Sequence, residues 1–332
     1  MIQSRPDTAE LLACWGIGAG AELTAAARGS NNLTVLVSED DRRWVLRISQ
    51  NLSAGQVRAE HKLLARLRQR DLPFALPEPA PTVAGDTMVE TTSGPATLCH
   101  WIAGVRPDPT SEQALERIGA GLAKLSDALR DLPFGDAPQD WRGGPLATLP
   151  AGVAAGELIA ELAAAGIRPE QAELLAVSAA RADAWHRSAA AHLPIQVVHG
   201  DIGASNVLVD DHSGELTGVL DFEIAGADYR VQDLVATLLL SGALEGAAWP
   251  ARATALMRGV ASALRLVRAE ICAVPELVVA RSVGSALWRA ARWRRGLSTL
   301  DDVAARLDEL AATVRFVSES GDELRDVLTQ AG

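Results

Sequence analysis

The sequence predicts an α+β protein in which a small antiparallel sheet precedes a larger, mainly helical region. Three observations carry that expectation. In the first hundred residues, Leu23 to Ala27, Leu33 to Val37 and Trp44 to Ile48 are short apolar runs separated by Arg28-Gly29-Ser30-Asn31-Asn32 and by Glu39-Asp40-Asp41, which is strand-and-turn patterning. Beyond Gly104 the periodicity is helical, at about 111–131, 153–165, 168–190, 231–244, 251–268, 275–295 and 299–318. One strand-loop-strand stretch, Val197 to Asp233, interrupts the helices. At 332 residues the chain suits two sub-domains better than one, with 1–98 first, a short connector at 99–102, and 103–332 after it.

Taken in order, Asp7 to Trp15 reads as an opening helix capped by Asp7. Ser53 caps a helix running to about Arg70, with Val57, Leu63, Leu64 and Leu67 as its apolar face and Glu60 one turn before Leu64. The proline-rich run Leu72 to Pro81 is extended. Thr82 to Ala84 and Thr87 to Thr91 read as a hairpin around Gly85-Asp86, and Thr97 to Ile102 as the last strand of this part. In the interrupting stretch, Ile195 to Val198, Val207 to Val209 and Leu216 to Leu220 are apolar strands. The last two pair across the turn Asp211-His212-Ser213-Gly214. That hairpin brings Asn206 and Asp221 to the same end of adjacent strands, beside the loop that holds Asp201.

Composition narrows the function classes. Hydrophobic residues make up 48% and charged residues 22%, ordinary for a globular protein. The net charge of −11 argues against nucleic acid as a general partner. Only Lys62 and Lys124 are lysines among the 31 basic residues, a bias towards arginine. Cys14, Cys99 and Cys272 are scattered, which fits reduced thiols and neither a disulfide framework nor a zinc site. The start, MIQSRPDTAE, lacks an apolar signal core, and the apolar run near Leu234 to Leu244 is too short to span a bilayer, so no membrane partner and a cytoplasmic location are expected.

The chemistry lies in Asp201, Asn206 and Asp221 with its neighbour Phe222. Phosphoryl transfer needs one carboxylate to orient the attacking hydroxyl, and an amide and a carboxylate to hold Mg²⁺ on the phosphates. Asp and Asn are common in turns, and a single one would carry no message. All three in this order, with apolar strands between them, weigh for function. His199 reads as packing and hydrogen-bonding within its loop, and Asp233 as a brace. Glu223 is open between a second metal contact and a solvated carboxylate. Trp288, Arg289, Arg292, Trp293, Arg294 and Arg295 read as a helix with tryptophans inward, and His61, His186, His192 and His212 show no metal spacing.

On VVHGDIGASNVLVD, GVLDFEIAG and Asp233, the chain resembles the aminoglycoside phosphotransferase and homoserine-kinase-type family of small-molecule kinases over most of 23–240. The resemblance implies a two-lobed, protein-kinase-like fold, with 1–98 the nucleotide-binding lobe, 99–102 the hinge and 103–332 the catalytic and substrate-binding lobe. It implies Asp201 as the catalytic aspartate and Asn206 and Asp221 as Mg²⁺ ligands. The loop Arg28 to Asn32, with Ser30 and Asn31, would cover the phosphates of ATP, GTP not being excluded. Glu60 would pair with the basic residue of the third strand, and Cys99 to Trp101 would receive the base. Two departures stand out: Arg47 replaces the usual lysine, a permanent charge of different reach, and the phosphate loop has one glycine. About a dozen residues separate Asp221 from Asp233, too few for the activation loop of a protein kinase. The expected acceptor is a small-molecule hydroxyl, on an aminoglycoside, homoserine, an amino alcohol or an amino sugar. The chain is expected to act as monomer or homodimer. The other reading is a catalytically silent nucleotide-binding protein on the same scaffold.

Overall fold

The computed structural model describes residues 5–25, 32–189 and 192–332. In chain order the elements are α1 (Arg5–Ala13), β1 (Glu22–Ala25), β2 (Asn32–Glu39), β3 (Arg42–Ser49), α2 (Ala54–Leu67), β4 (Val89–Thr91), β5 (Gly94–His100) and α3 (Glu112–Leu129). There follow β6 (Gln139–Asp140), α4 (Ala155–Ala164), α5 (Pro169–Ala189), β7 (Ile195–Val198), β8 (Val207–Val209), β9 (Leu216–Val219) and β10 (Gly226–Tyr229). The chain ends in α6 (Gln232–Leu240), α7 (Trp249–Ala261), α8 (Arg268–Arg294) and α9 (Leu300–Ala331). Two compact units result: Met1–Pro107 with Leu132–Gln139 and Asn206–Ala225, and the remainder.

The first unit is built on a five-stranded sheet of order β1-β2-β3-β5-β4. Alternation along β3 turns Trp44 and Leu46 to one face, where they pack with Val35, Val37, Leu98 and, from α1, Leu12. Arg47 points to the opposite face, with Thr34 and Thr97 as its strand neighbours. α2 covers that face. Ser53 caps it as expected, in a reciprocal capping box with Gln56. Its buried side includes two polar residues, Glu60 and His61, beside Val57, Leu63, Leu64 and Leu67. His61 sits between Thr87 and Thr97, and burial pulls its imidazole down to about 4, so it is neutral at physiological pH.

The expected hairpin at 82–91 does not form. Thr82 and Asp86 instead close a local turn through Thr82 N–H to the Asp86 carbonyl and Asp86 N–H to Thr82 Oγ1, and β4 pairs with β5. The opening helix begins at Arg5, so Asp7 lies within it and is not its cap. The β8–β9 hairpin belongs with the first unit although the sequence places it among helices. Thr217 and Val219 exchange backbone hydrogen bonds with Ala75, and Val105 and Val209 do so with each other. Gly104 permits this approach, because a Cβ there would lie 2.4 Å from Thr217 Oγ1.

The second unit is helical. α3 and α7 cross at Gly119 and Gly259, where a Cβ would fall 2.2 Å and 1.9 Å from the facing backbone carbonyls. A separate core gathers Leu158 and Leu162 of α4, Leu175 of α5, Val283 and Leu287 of α8, and Leu307 and Leu310 of α9. α8 starts at Arg268, seven residues before the predicted onset, and contains Pro275. α9 continues thirteen residues past its predicted end. Packing explains both, since Gly321 of α9 lies against Pro275 and Leu324 and Leu328 are fully buried. α8 has the length and hydropathy of a membrane span, but most of that window is buried in this core. β7 pairs antiparallel with β10, Val198 opposite Gly226. The strand β10 was not expected from its Gly-Ala-Asp-Tyr sequence.

Candidate active site

In the first unit, Arg47 is held from two sides. Its Nη2 donates to Glu60 Oε2 at 2.5 Å and its Nη1 lies 3.5 Å from Asp221 Oδ1. Burial works to lower the basicity of this guanidinium, but Glu60 and Asp221 outweigh it and raise it above the ordinary value. Asp221 reaches Arg47 from the end of β9. Val207 pairs with Val219, and Leu220 N–H donates to the Asn206 carbonyl at 2.8 Å, so the hairpin sets Asn206 across from the residue preceding Asp221. The backbone of Asp221 is left-handed, with φ 65°, a conformation that costs energy for any residue but glycine.

Beside this cluster lies a group with no signal in the sequence. Arg106 donates from Nη1 to the Val207 carbonyl at 3.4 Å, and burial holds its guanidinium below the ordinary value, against the opposing pull of the Asp221 charge. Glu223 is not solvated. It is 4% exposed and accepts from Asn32 Nδ2 at 2.7 Å. Ser30 and Asn31 lie outside the described residues. Cys99 is inside β5, opposite Val45 on one side and Pro79 on the other, and burial pushes its thiol up to about 11. The N–H groups of His100 and Trp101 go to the carbonyls of Glu78 and Arg43, while the Trp101 ring is exposed.

In the second unit, the loop after β7 is clamped from beneath. Asp233, fully buried near the start of α6, accepts the N–H groups of His199 at 3.1 Å and Gly200 at 2.7 Å. Burial raises the Asp233 carboxyl above its ordinary range, against the pull of His199 and these two bonds. His199 is itself fully buried and accepts the Asp201 N–H at 3.1 Å. Asp201 then projects to Arg281 of α8, whose Nη2 donates to its Oδ1 at 3.0 Å. Asp228 of β10 is pushed up to about 8 by burial, with its bond from the Tyr229 N–H and the Arg281 charge pulling the other way. Arg281, 80 residues from Asp201 in sequence, was invisible to any local pattern.

Among the described residues no three or more His, Cys, Asp and Glu side chains cluster as a metal site. The oxygen donors of Asn206 and Asp221 fit a hard cation that takes most of its ligands from phosphate and water.

The model of the phosphotransferase enzyme family matches residues 22–270. A homoserine kinase of Rhodopseudomonas palustris (strain BisA53) is 27% identical over 234 residues, 70% of this chain and 67% of that protein. The solved microcompartment-associated aminopropanol kinase superposes with TM-score 0.65 at 18% identity, covering 96% of this chain and 99% of the other. The GDP complex of aminoglycoside 2'-phosphotransferase-IIIa gives 0.63 at 18%, covering 93% and 99%. These neighbours establish the protein-kinase-like fold. With the family model spanning three quarters of its length, the chain belongs to the phosphotransferase enzyme family and is a small-molecule kinase with a hydroxyl acceptor.

Proposed function

We propose that the protein transfers the γ-phosphoryl group of ATP, or of GTP, to the hydroxyl of a small amino-bearing alcohol, with Mg²⁺ as the metal. The observation that carries this reading is the hold on Arg47 by Glu60 and Asp221. It fixes a permanent cation beside a carboxylate on strained backbone, the pair that a nucleotide's phosphates and their metal call for. Asn206 and Asp221 would hold the ion, which when bound neutralises charge on the phosphates. Arg47 would contact the phosphate oxygens in place of the usual lysine. Cys99 to Trp101 would offer carbonyls and a ring to the base, the N–H groups of His100 and Trp101 being spent.

In this reading Asp201 aligns the acceptor hydroxyl and receives its proton. The acceptor oxygen bonds to the γ-phosphorus as the bridging oxygen leaves with the nucleoside diphosphate. Positioning and charge stabilisation supply most of the acceleration, and the proton transfer about 10²–10⁴-fold. The homoserine, aminopropanol and aminoglycoside kinases it resembles support amino-bearing acceptors. The test is mass-spectrometric detection of phosphate adducts over pooled amino alcohols, hydroxy amino acids and aminoglycosides. Asp201→Asn should lower kcat at least about 10³-fold while calorimetric binding of ATP and Mg²⁺ is unchanged. Nucleotide binding with no transfer to any acceptor would select the silent reading instead.

A further inference from the structure

Arg281 has unspent capacity next to the residue assigned to the acceptor hydroxyl. A guanidinium carries five N–H donors in a planar fork. Among the described residues Arg281 uses one of them, from Nη2 to Asp201 Oδ1 at 3.0 Å. The pair is not sealed, since the two side chains are 22% and 30% exposed. Its base is rigid, because α8 buries Val279, Ala280 and Val283 around it. Asp228 is the carboxyl that could neutralise it next, but burial keeps that group protonated up to about pH 8. Asp233 is already committed to the N–H groups of His199 and Gly200. A cation with one hydrogen bond and a solvent-facing edge is thus fixed beside Asp201.

Resting on the kinase reading above, we propose that Arg281 determines acceptor class, its free edge taking a carboxylate of the substrate while Asp201 takes the hydroxyl. The acceptor is then a short hydroxy acid, and a polycation is disfavoured. Arginine forks pair with carboxylates through two parallel, charge-assisted bonds. With the two protein groups 3.0 Å apart, bonds of about 2.7–2.9 Å to each keep hydroxyl and carboxylate within about 9 Å of one another, a reach that a short three- to five-carbon chain satisfies. A polycationic sugar would instead meet a like charge beside its reacting oxygen, which selects against it.

The decisive measurement is steady-state kinetics of the full chain and its Arg281→Gln and Arg281→Lys variants on a matched pair of acceptors. L-homoserine and 3-aminopropan-1-ol share hydroxyl and amine and differ by the carboxylate. Wild type should prefer homoserine, or another hydroxy acid of a C3–C5 panel, by at least tenfold in kcat/KM. Arg281→Gln should erase that preference by raising KM for homoserine at least tenfold more than KM for the amino alcohol, with Arg281→Lys intermediate. An equal loss on both acceptors would show that Arg281 only steadies Asp201, and would overturn the proposal. A wild-type preference for the amino alcohol or an aminoglycoside would overturn it too, leaving the kinase reading intact. If no acceptor is phosphorylated the kinase reading falls, and calorimetry of the hydroxy acids then decides. Binding lost in Arg281→Gln supports the carboxylate role, and no binding refutes it.

Discussion

Asp221 and Asp201 are both half-buried at the ends of strand-loop segments, yet they are held by opposite means. Asp221 depends on charge and on a strained backbone: φ is 65°, and the cations Arg47 and Arg106 act on its carboxylate. Asp201 sits on a loop held by buried hydrogen bonds, with Asp233 accepting two backbone N–H groups and His199 accepting a third. Charge at a partly solvated site is screened and tolerates neutral replacement. A buried acceptor cannot be removed without orphaning its donors. Loss of a side chain should therefore cost the Asp201 loop more stability than the Asp221 cluster.

The largest expected effect follows from Asp233. Asp233→Ala leaves the His199 and Gly200 N–H groups without their acceptor in a fully buried place. It should cost about 2–4 kcal/mol and lower Tm by about 5–10 °C in a thermal melt. Next comes Glu60→Gln, which removes the charge facing Arg47 and keeps its shape. About 2 kcal/mol is the expected loss, less than for a sealed ion pair because Arg47 keeps Asp221 and some solvent access. On the proposed reading KM for nucleotide rises about tenfold while that for the acceptor holds. A Glu60→Gln protein less stable than Asp233→Ala would invert the comparison.

The same contrast decides what the sequence disclosed. The Asn206–Leu220 register was legible because alternating apolar strands and a four-residue turn permit one pairing, and a one-residue slip would turn Val207 and Val219 outward. The Ser53 cap and the meeting of Glu60 with Arg47 were legible for similarly local reasons, one a three-residue spacing, the other a helix face that had to cover a sheet. Partners set by tertiary packing were not. Arg281 and Arg106 reach their carboxylates from remote segments, with no spacing to betray them. The docking of 206–225 onto Ala75 and Val105 runs through backbone groups that every residue possesses. Strand β10 lacks β-formers over three of its four positions, and pairing with buried β7 overrides that preference.

A pH experiment probes how dry the Asp201 side is. The Asp228 carboxyl is pushed up to about 8, above its ordinary 3.8, chiefly by burial. The stability linked to it is full below the unfolded value and is lost as pH rises through about 8. Asparagine stays neutral and can keep the bond from the Tyr229 N–H, 2.7 Å in the parent. Melts at pH 5.5, 7 and 9 should show Asp228→Asn gaining on the parent protein by a few degrees as pH rises. A difference that stays flat across this range would mean that water reaches Asp228, and the contrast between a dry loop and a charged cluster would narrow.

The smallest effect tests strain directly. Asp221→Gly and Asp221→Ala both remove the carboxylate near Arg47, so both lose that ion pair equally. They differ at φ 65°, which glycine adopts freely and alanine does not. Asp221→Gly should therefore melt above Asp221→Ala by about 1 kcal/mol, or roughly 2–4 °C, net of the extra freedom glycine gives the unfolded chain. Both should be inactive if Asp221 holds the metal. Equal melting temperatures would mean that the hairpin relaxes out of the left-handed region once the carboxylate is gone. The conformation would then be imposed by the pull of Arg47 on Asp221, and charge alone would organise this cluster.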